Sequence, residues 1–141
     1  MSALLLASAS AATPRTSRRT LWAGRIVTGI AVLFLTFDTV MKFAVTKEAL
    51  EGTAQLGWQA HHLPIIGTIA AVCLLLYLVP RTAVLGAVLW TGYLGGAIAT
   101  HLRLDNPLFT HTLFPIYVAA FVWGGLYLRD DRVRALLRPA R

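Results

Sequence analysis

An all-α fold, a four-transmembrane-helix bundle with a short outer amphipathic helix between helices 1 and 2, is predicted by three observations. First, 57% of the 141 residues are hydrophobic and only 13% are charged, about half the charged share of a soluble domain. Second, four apolar stretches, residues 21–45, 63–79, 82–102 and 108–128, each fit the roughly 17–25 residues that cross about 30 Å of hydrocarbon. Third, apolar and polar residues nowhere alternate as they do in strands, which sets aside a β-barrel. A water-soluble enzyme is excluded by the same numbers, because the chain has too few polar residues to coat a core. The single cysteine, Cys73, excludes an internal disulfide framework and a dithiol relay.

Residues 1–20 read as a flexible cytoplasmic tail. Leu4-Leu5-Leu6 and the following Ala-Ser repeats mimic a secretory leader, but Arg15, Arg18 and Arg19 come after the apolar run instead of before it. The first span covers 21–45. Residues 46–62 then form a long polar connection, in which Thr46-Lys-Glu-Ala-Leu-Glu reads as an N-cap with acidic first-turn residues. The surface helix this begins would dip Ala49, Leu50 and Ala54 into the interface. The second and third spans, 63–79 and 82–102, are joined by Pro80-Arg81 alone, which leaves room only for an antiparallel hairpin. The fourth, 108–128, follows a short polar loop and leads into a basic cytoplasmic tail, 129–141.

Charge sets the expected orientation. Arg15, Arg18, Arg19, Arg81, Arg129, Arg132, Arg134, Arg138 and Arg141 fall on one side and only Lys47 and Arg103 on the other. The positive-inside rule places both termini in the cytoplasm. The +7 net charge is thereby an orientation device and calls for no nucleic-acid partner. The expected partners are the lipid bilayer and, for the Arg-Val-Arg-Ala-Leu-Leu-Arg tail, anionic lipid headgroups. Trp22, Tyr77 and Tyr127 are expected at the inner boundary as interfacial rings.

Polar residues then collect at the outer end. Asp38 lies about 25 Å up the first helix, Lys42 one turn beyond, and all four histidines share that depth. Asp38 and Lys42 stand at i,i+4 with the acid first, the favoured order for a helical pair. Either Lys42 neutralises Asp38, or Asp38 faces inward and pairs with His101 or Arg103. On the third helix, Gly92/Gly96 and Gly95/Ala99 form small-xxx-small faces that predict close helix contact. Tyr93 and His101, about 80° apart around the axis, would open on one cavity. Pro115 predicts a kink beside His111, and Gly124 and Gly125 are expected helix contacts. His61 and His62 are expected to diverge, and no H-x-x-x-H or H-E-x-x-H spacing occurs. No metal site is assigned. Hydrogen bonding ranks above haem ligation by His101 and His111, and Cys73 reads as a small core residue.

Trp22-Ala-Gly-Arg25, Phe37-Asp38 with Lys42, and Ala54-Gln-Leu-Gly57 open a series of motifs in order. Tyr77-Leu-Val-Pro80-Arg81-Thr-Ala-Val-Leu-Gly86, Thr91-Gly-Tyr-Leu-Gly-Gly-Ala97, Thr100-His101-x-Arg103 and Trp123-Gly-Gly-Leu-Tyr-Leu-Arg129 complete it. Over residues 22–137 the chain resembles the DoxX-like branch of the DoxX family, small four-helix bacterial membrane proteins. The resemblance implies the bacterial plasma (inner) membrane and a link to quinone-coupled redox systems, and it transfers no catalytic residue. The leading reading is a quinone-binding subunit or accessory of a membrane redox system, working with a redox-protein partner or as a homo-oligomer. Its candidate ligand-binding residues are Asp38, Lys42, Tyr93, His101, Arg103 and His111, and no covalently bound cofactor is expected. A proton-coupled transporter acting as an oligomer and a scaffold without chemistry are the alternatives.

Overall fold

The computed structural model describes residues 17–136, so residues 1–16 of the tail expected over 1–20 and the arginines at 138 and 141 lie outside the described residues. The helices run in the order α1 Arg18–Ala44, α2 Lys47–Gln55, α3 His62–Leu78 and α4 Ala83–Arg103. A π-helical turn, Leu108–Thr112, then leads into α5 Phe114–Arg129 and α6 Asp131–Leu136. No strand occurs among the described residues. Three helical stretches, Arg18–Ala44, Ala83–Arg103 and Leu108–Arg129, are long and apolar enough to cross a membrane. The expected second span is the apolar helix α3, which at 17 residues is shorter than these.

Local chemistry places most of the boundaries. Ser17 accepts a hydrogen bond from the Thr20 N–H and caps α1 three residues before the expected start, so Arg18 and Arg19 lie in its first turn. α1 ends at Val45, which takes the left-handed conformation (φ 48°) and turns the chain straight into the next cap. There the Thr46 hydroxyl accepts from the Ala49 N–H and starts α2 as expected. Ala49 and Leu50 are half-buried on it, whereas Ala54 is exposed. The expected fourth span is not one continuous helix. Pro115 lacks the N–H an uninterrupted helix would need, so it sits in the first turn of α5, and the preceding residues close as a π-turn through Thr112 N–H to Pro107 C=O and Leu113 N–H to Leu108 C=O.

Each of the four long helices meets two others: α1 packs on α5 and α3, and α4 packs on α3 and α5. Ala31, Leu35, Ala70, Cys73, Ala87, Trp90, Val118, Val122 and Leu126 fill the centre. The outward faces are just as apolar, with Leu33, Phe37, Leu75 and Phe109 largely exposed, the pattern of helices immersed in lipid. Tyr77 is not an interfacial ring. It is fully buried, and its hydroxyl donates to the Val122 carbonyl at 2.9 Å, tying α3 to α5. A hydroxyl in apolar surroundings costs free energy unless it finds such an acceptor.

Glycine decides where the backbones touch, though not at the positions the small-residue spacing selects. A methyl group at Gly86 would strike the Tyr77 backbone N and lie 2.6 Å from its Cα, so only glycine lets α4 close on α3. Gly125 meets Thr28 of α1 in the same way, and Gly24 meets Leu128 and Arg129 of α5. Gly92, Gly95, Gly96 and Gly124 meet nothing within 4 Å. The small-residue faces of α4 therefore point away from the bundle. Gly86→Val should lower the melting temperature of the detergent-solubilised protein by the equivalent of about 3 kcal/mol or more, whereas Gly92→Val should leave it within error. Equal losses at the two positions would refute the Gly86 contact as the determinant of the α3–α4 hairpin.

Candidate functional site

The end of the bundle opposite the α1 N-terminus gathers α2, the start of α3, the end of α4 and the π-turn. Gly67 of α3 has no side chain, and Lys42 Cβ packs over it, 3.1 Å from where a methyl would lie. This close approach sets the height of the lysine. Its ammonium lies 2.5 Å from Asp38 Oδ2 and 3.3 Å from the Asp38 carbonyl. Asp38 thus pairs along its own helix and not with His101 or Arg103. The i,i+4 geometry is available without ordering a second helix, so the local partner wins. The ammonium has three donors, and the two Asp38 contacts leave one for another acceptor.

Lys42, Tyr93 and His101 line one cavity of about 140 Å³ with Thr53, Trp58 and Thr100 around them. The expectation that Tyr93 and His101 share a cavity therefore holds. Asp38 lines the adjoining cleft of about 350 Å³ between α1 and α2, and Lys42, Thr53, Leu56 and Leu63 belong to both spaces. The cavity alone is smaller than the roughly 300–1,000 Å³ typical of small-molecule sites, and the cleft reaches that range. A purely apolar groove of about 180 Å³ between α1 and α5, lined by Ile30, Phe34, Phe114, Tyr117 and Phe121, offers no polar group for chemistry.

His101 is oriented by a residue the sequence did not single out. The Asn106 Nδ2 amide faces His101 Nδ1 at 3.0 Å, so Nδ1 accepts and the neutral ring carries its proton on Nε2. His111 lies on the exposed π-turn, bonded through Nδ1 to Thr110 Oγ1 at 2.8 Å, with its ring centroid 5.9 Å from that of His101. It abuts His101 and does not line the cavity. Arg103 is also elsewhere: its Nη2 donates to the Leu56 carbonyl at 2.9 Å. Gly57, at φ +76°, makes room, since a methyl there would lie 2.9 Å from Nη2. Arg103 is a positioning residue that fastens the α2–α3 loop over the cavity. A backbone carbonyl leaves no trace in a pattern of side chains, which is why this partner was not legible.

Trp58 and His62 meet edge to face, and the His61 and His62 rings lie 4.0 Å apart at their centroids, so the two histidines stay together instead of diverging. The Gln59 N–H donates to His62 Nδ1, which holds the second ring at the start of α3. Thr53, Trp58 and Asn106 complete the site without any motif to announce them, and Thr100 joins it from the Thr100-His101-x-Arg103 motif. Among the described residues no three His, Cys, Asp or Glu side chains gather to hold a metal ion.

The sequence model described as the DoxX-like family matches residues 26–125, which is more than half of the chain. The match runs from α1 through α5 and includes every residue of the cavity. No curated protein and no solved structure matches the chain.

The Lys42 side chain is only 16% exposed, against 36% for Asp38, so removing the acid strands a largely covered cation. Asp38→Asn should destabilise the solubilised protein by about 1–3 kcal/mol, and adding Lys42→Met should recover most of that loss. A double variant no more stable than the single one would show that the pair is not coupled.

Proposed function

The chain belongs to the DoxX-like family, and from that premise we propose that it is a four-span protein of the bacterial plasma membrane that binds a quinone-like headgroup as a subunit or accessory of a redox system. The observation that carries this reading is the meeting of Lys42, Tyr93 and His101 on one cavity at the end of an apolar bundle. A quinone carbonyl accepts hydrogen bonds. The ammonium of Lys42, the Tyr93 hydroxyl and the His101 Nε2–H are donors of the required kind. Asp38 holds the Lys42 ammonium in place. The isoprenoid tail would lie along the lipid-facing surface, because the glycines of α4 line no slot within the bundle.

The charge asymmetry supports cytoplasmic termini and an outward-facing cavity. No group in the described residues carries electrons by itself, so the proposed role requires a redox partner to oxidise or reduce the bound headgroup. The scaffold alternative draws on the internal satisfaction of the Asp38–Lys42 pair. Binding separates the two readings.

Trp58 lines the cavity and reports on it. A short-chain ubiquinone should quench Trp58 fluorescence saturably, with Trp58→Phe removing the signal. Lys42→Met and His101→Ala should each weaken the apparent affinity by about tenfold, as expected for loss of one good hydrogen bond. Unsaturable quenching, or affinities unchanged in both variants, would rule the quinone reading out.

A further inference from the structure

Three buried polar atoms among the described residues lack a close hydrogen-bond partner, Thr28 Oγ1, Trp90 Nε1 and Arg129 Nε, with the Tyr77 hydroxyl the polar group nearest to Thr28 and Arg129. The indole of Trp90 packs on the Tyr93 ring in the centre of the bundle. The other two belong to the opposite, arginine-rich end, on one face of α5. Gly125 brings Thr28 against that face, Val122 receives the Tyr77 hydroxyl, and Arg129 follows Gly125 by one turn. The Arg129 guanidinium carbon lies 5.5 Å from the Tyr77 ring centroid, within cation–π range of its face.

This cation is half-buried, and no carboxylate of the described residues lies within ion-pair distance of it. The nearby acids are engaged elsewhere: Asp130 Oδ1 accepts the Arg132 N–H, and Asp131 pairs with Arg134. Gly24 packs directly on the Arg129 backbone, and the next residue, Arg25, lies over the Trp22 ring with its guanidinium carbon 5.7 Å from the centroid. Two arginines, each held on an aromatic face, thus flank the α1–α5 crossing where the bundle ends. A partly desolvated cation needs a counter-charge, and a planar guanidinium matches phosphate oxygens with paired donors.

We propose that Arg129, assisted by Arg25, binds the phosphate of an anionic phospholipid in the leaflet at the arginine-rich end. The lipid is favoured over a free anion because the site is framed by lipid-facing Trp22 and Ile26, beside which acyl chains would lie. The inference is independent of the quinone reading, since it concerns the other end of the bundle.

The test is the melting temperature of the full chain in detergent, titrated with phosphatidylglycerol, with phosphatidylcholine and with inorganic phosphate. Phosphatidylglycerol should stabilise the wild type by several degrees, and the other two should do so far less. Arg129→Gln should weaken the phosphatidylglycerol response about tenfold in concentration. Arg132→Gln, which removes the same charge from an exposed position on α6, should retain it. If Arg129→Gln does not fold, Arg129→Lys, which keeps the charge without the planar fork, should show the same weakening. Equal responses in the Arg129 and Arg132 variants, or no preference for phosphatidylglycerol over phosphatidylcholine, would overturn the site. Equal stabilisation by inorganic phosphate would overturn its assignment to lipid.

Discussion

Close approach of backbones at three glycines is the constraint on which the bundle depends. Inside and outside are equally apolar, so the hydrophobic effect does not sort one helix face from another. Helices in such a medium are held by packing and by the few hydrogen bonds they exchange. Gly86 admits the Tyr77 backbone, Gly125 admits Thr28, and Gly24 admits Arg129. Each contact places a polar group at a defined depth. The Tyr77 hydroxyl reaches the Val122 carbonyl because α3 and α5 stand at the distance these contacts fix.

The same device operates at the histidine end. Lys42 packs over Gly67 and is thereby set where it meets both Asp38 and the cavity shared with Tyr93 and His101. Outside the bundle proper, the fastening is polar. Arg103 holds the loop after α2 through the Leu56 carbonyl, and Asn106 fixes the ring of His101. The two ends therefore differ in kind. One exposes neutral donors and a compensated lysine beneath a covering loop, and the other carries guanidinium groups within cation–π range of aromatic rings.

Signals confined to one helix were legible in the sequence. The first three apolar stretches became helices within three residues of their expected limits and the fourth became a π-turn followed by α5, Thr46 caps α2, and Asp38 and Lys42 form the i,i+4 pair. Facing was not legible. A helix apolar on every side has no polar stripe to mark its outside, so Gly92 and Gly96 had the spacing of a contact and turned outward, while Gly86 made the contact; of the expected pair Gly124 and Gly125, only Gly125 touches another helix. Tyr77 faces inward for the same reason, its facing depending on an acceptor 45 residues away. Of the six candidate site residues, Lys42, Tyr93 and His101 meet on the cavity and Asp38 lines the cleft beside it. Arg103 and His111 share their depth but point to other partners.

The length of α3 has a consequence for the surrounding bilayer. Seventeen residues rise only about 26 Å, less than the hydrocarbon thickness of about 30 Å. In the four-span arrangement proposed above, that hydrophobic mismatch is relieved by local thinning or by tilt. α3 begins at His62, beside Trp58 and the cavity. A dimple taken up at that end would draw headgroups and water toward Lys42 and His101. Membrane thickness would then act on the site as a variable in its own right: thinner bilayers would cover it with less strain, and thicker ones would pull the lipid surface further out of register with its polar rim.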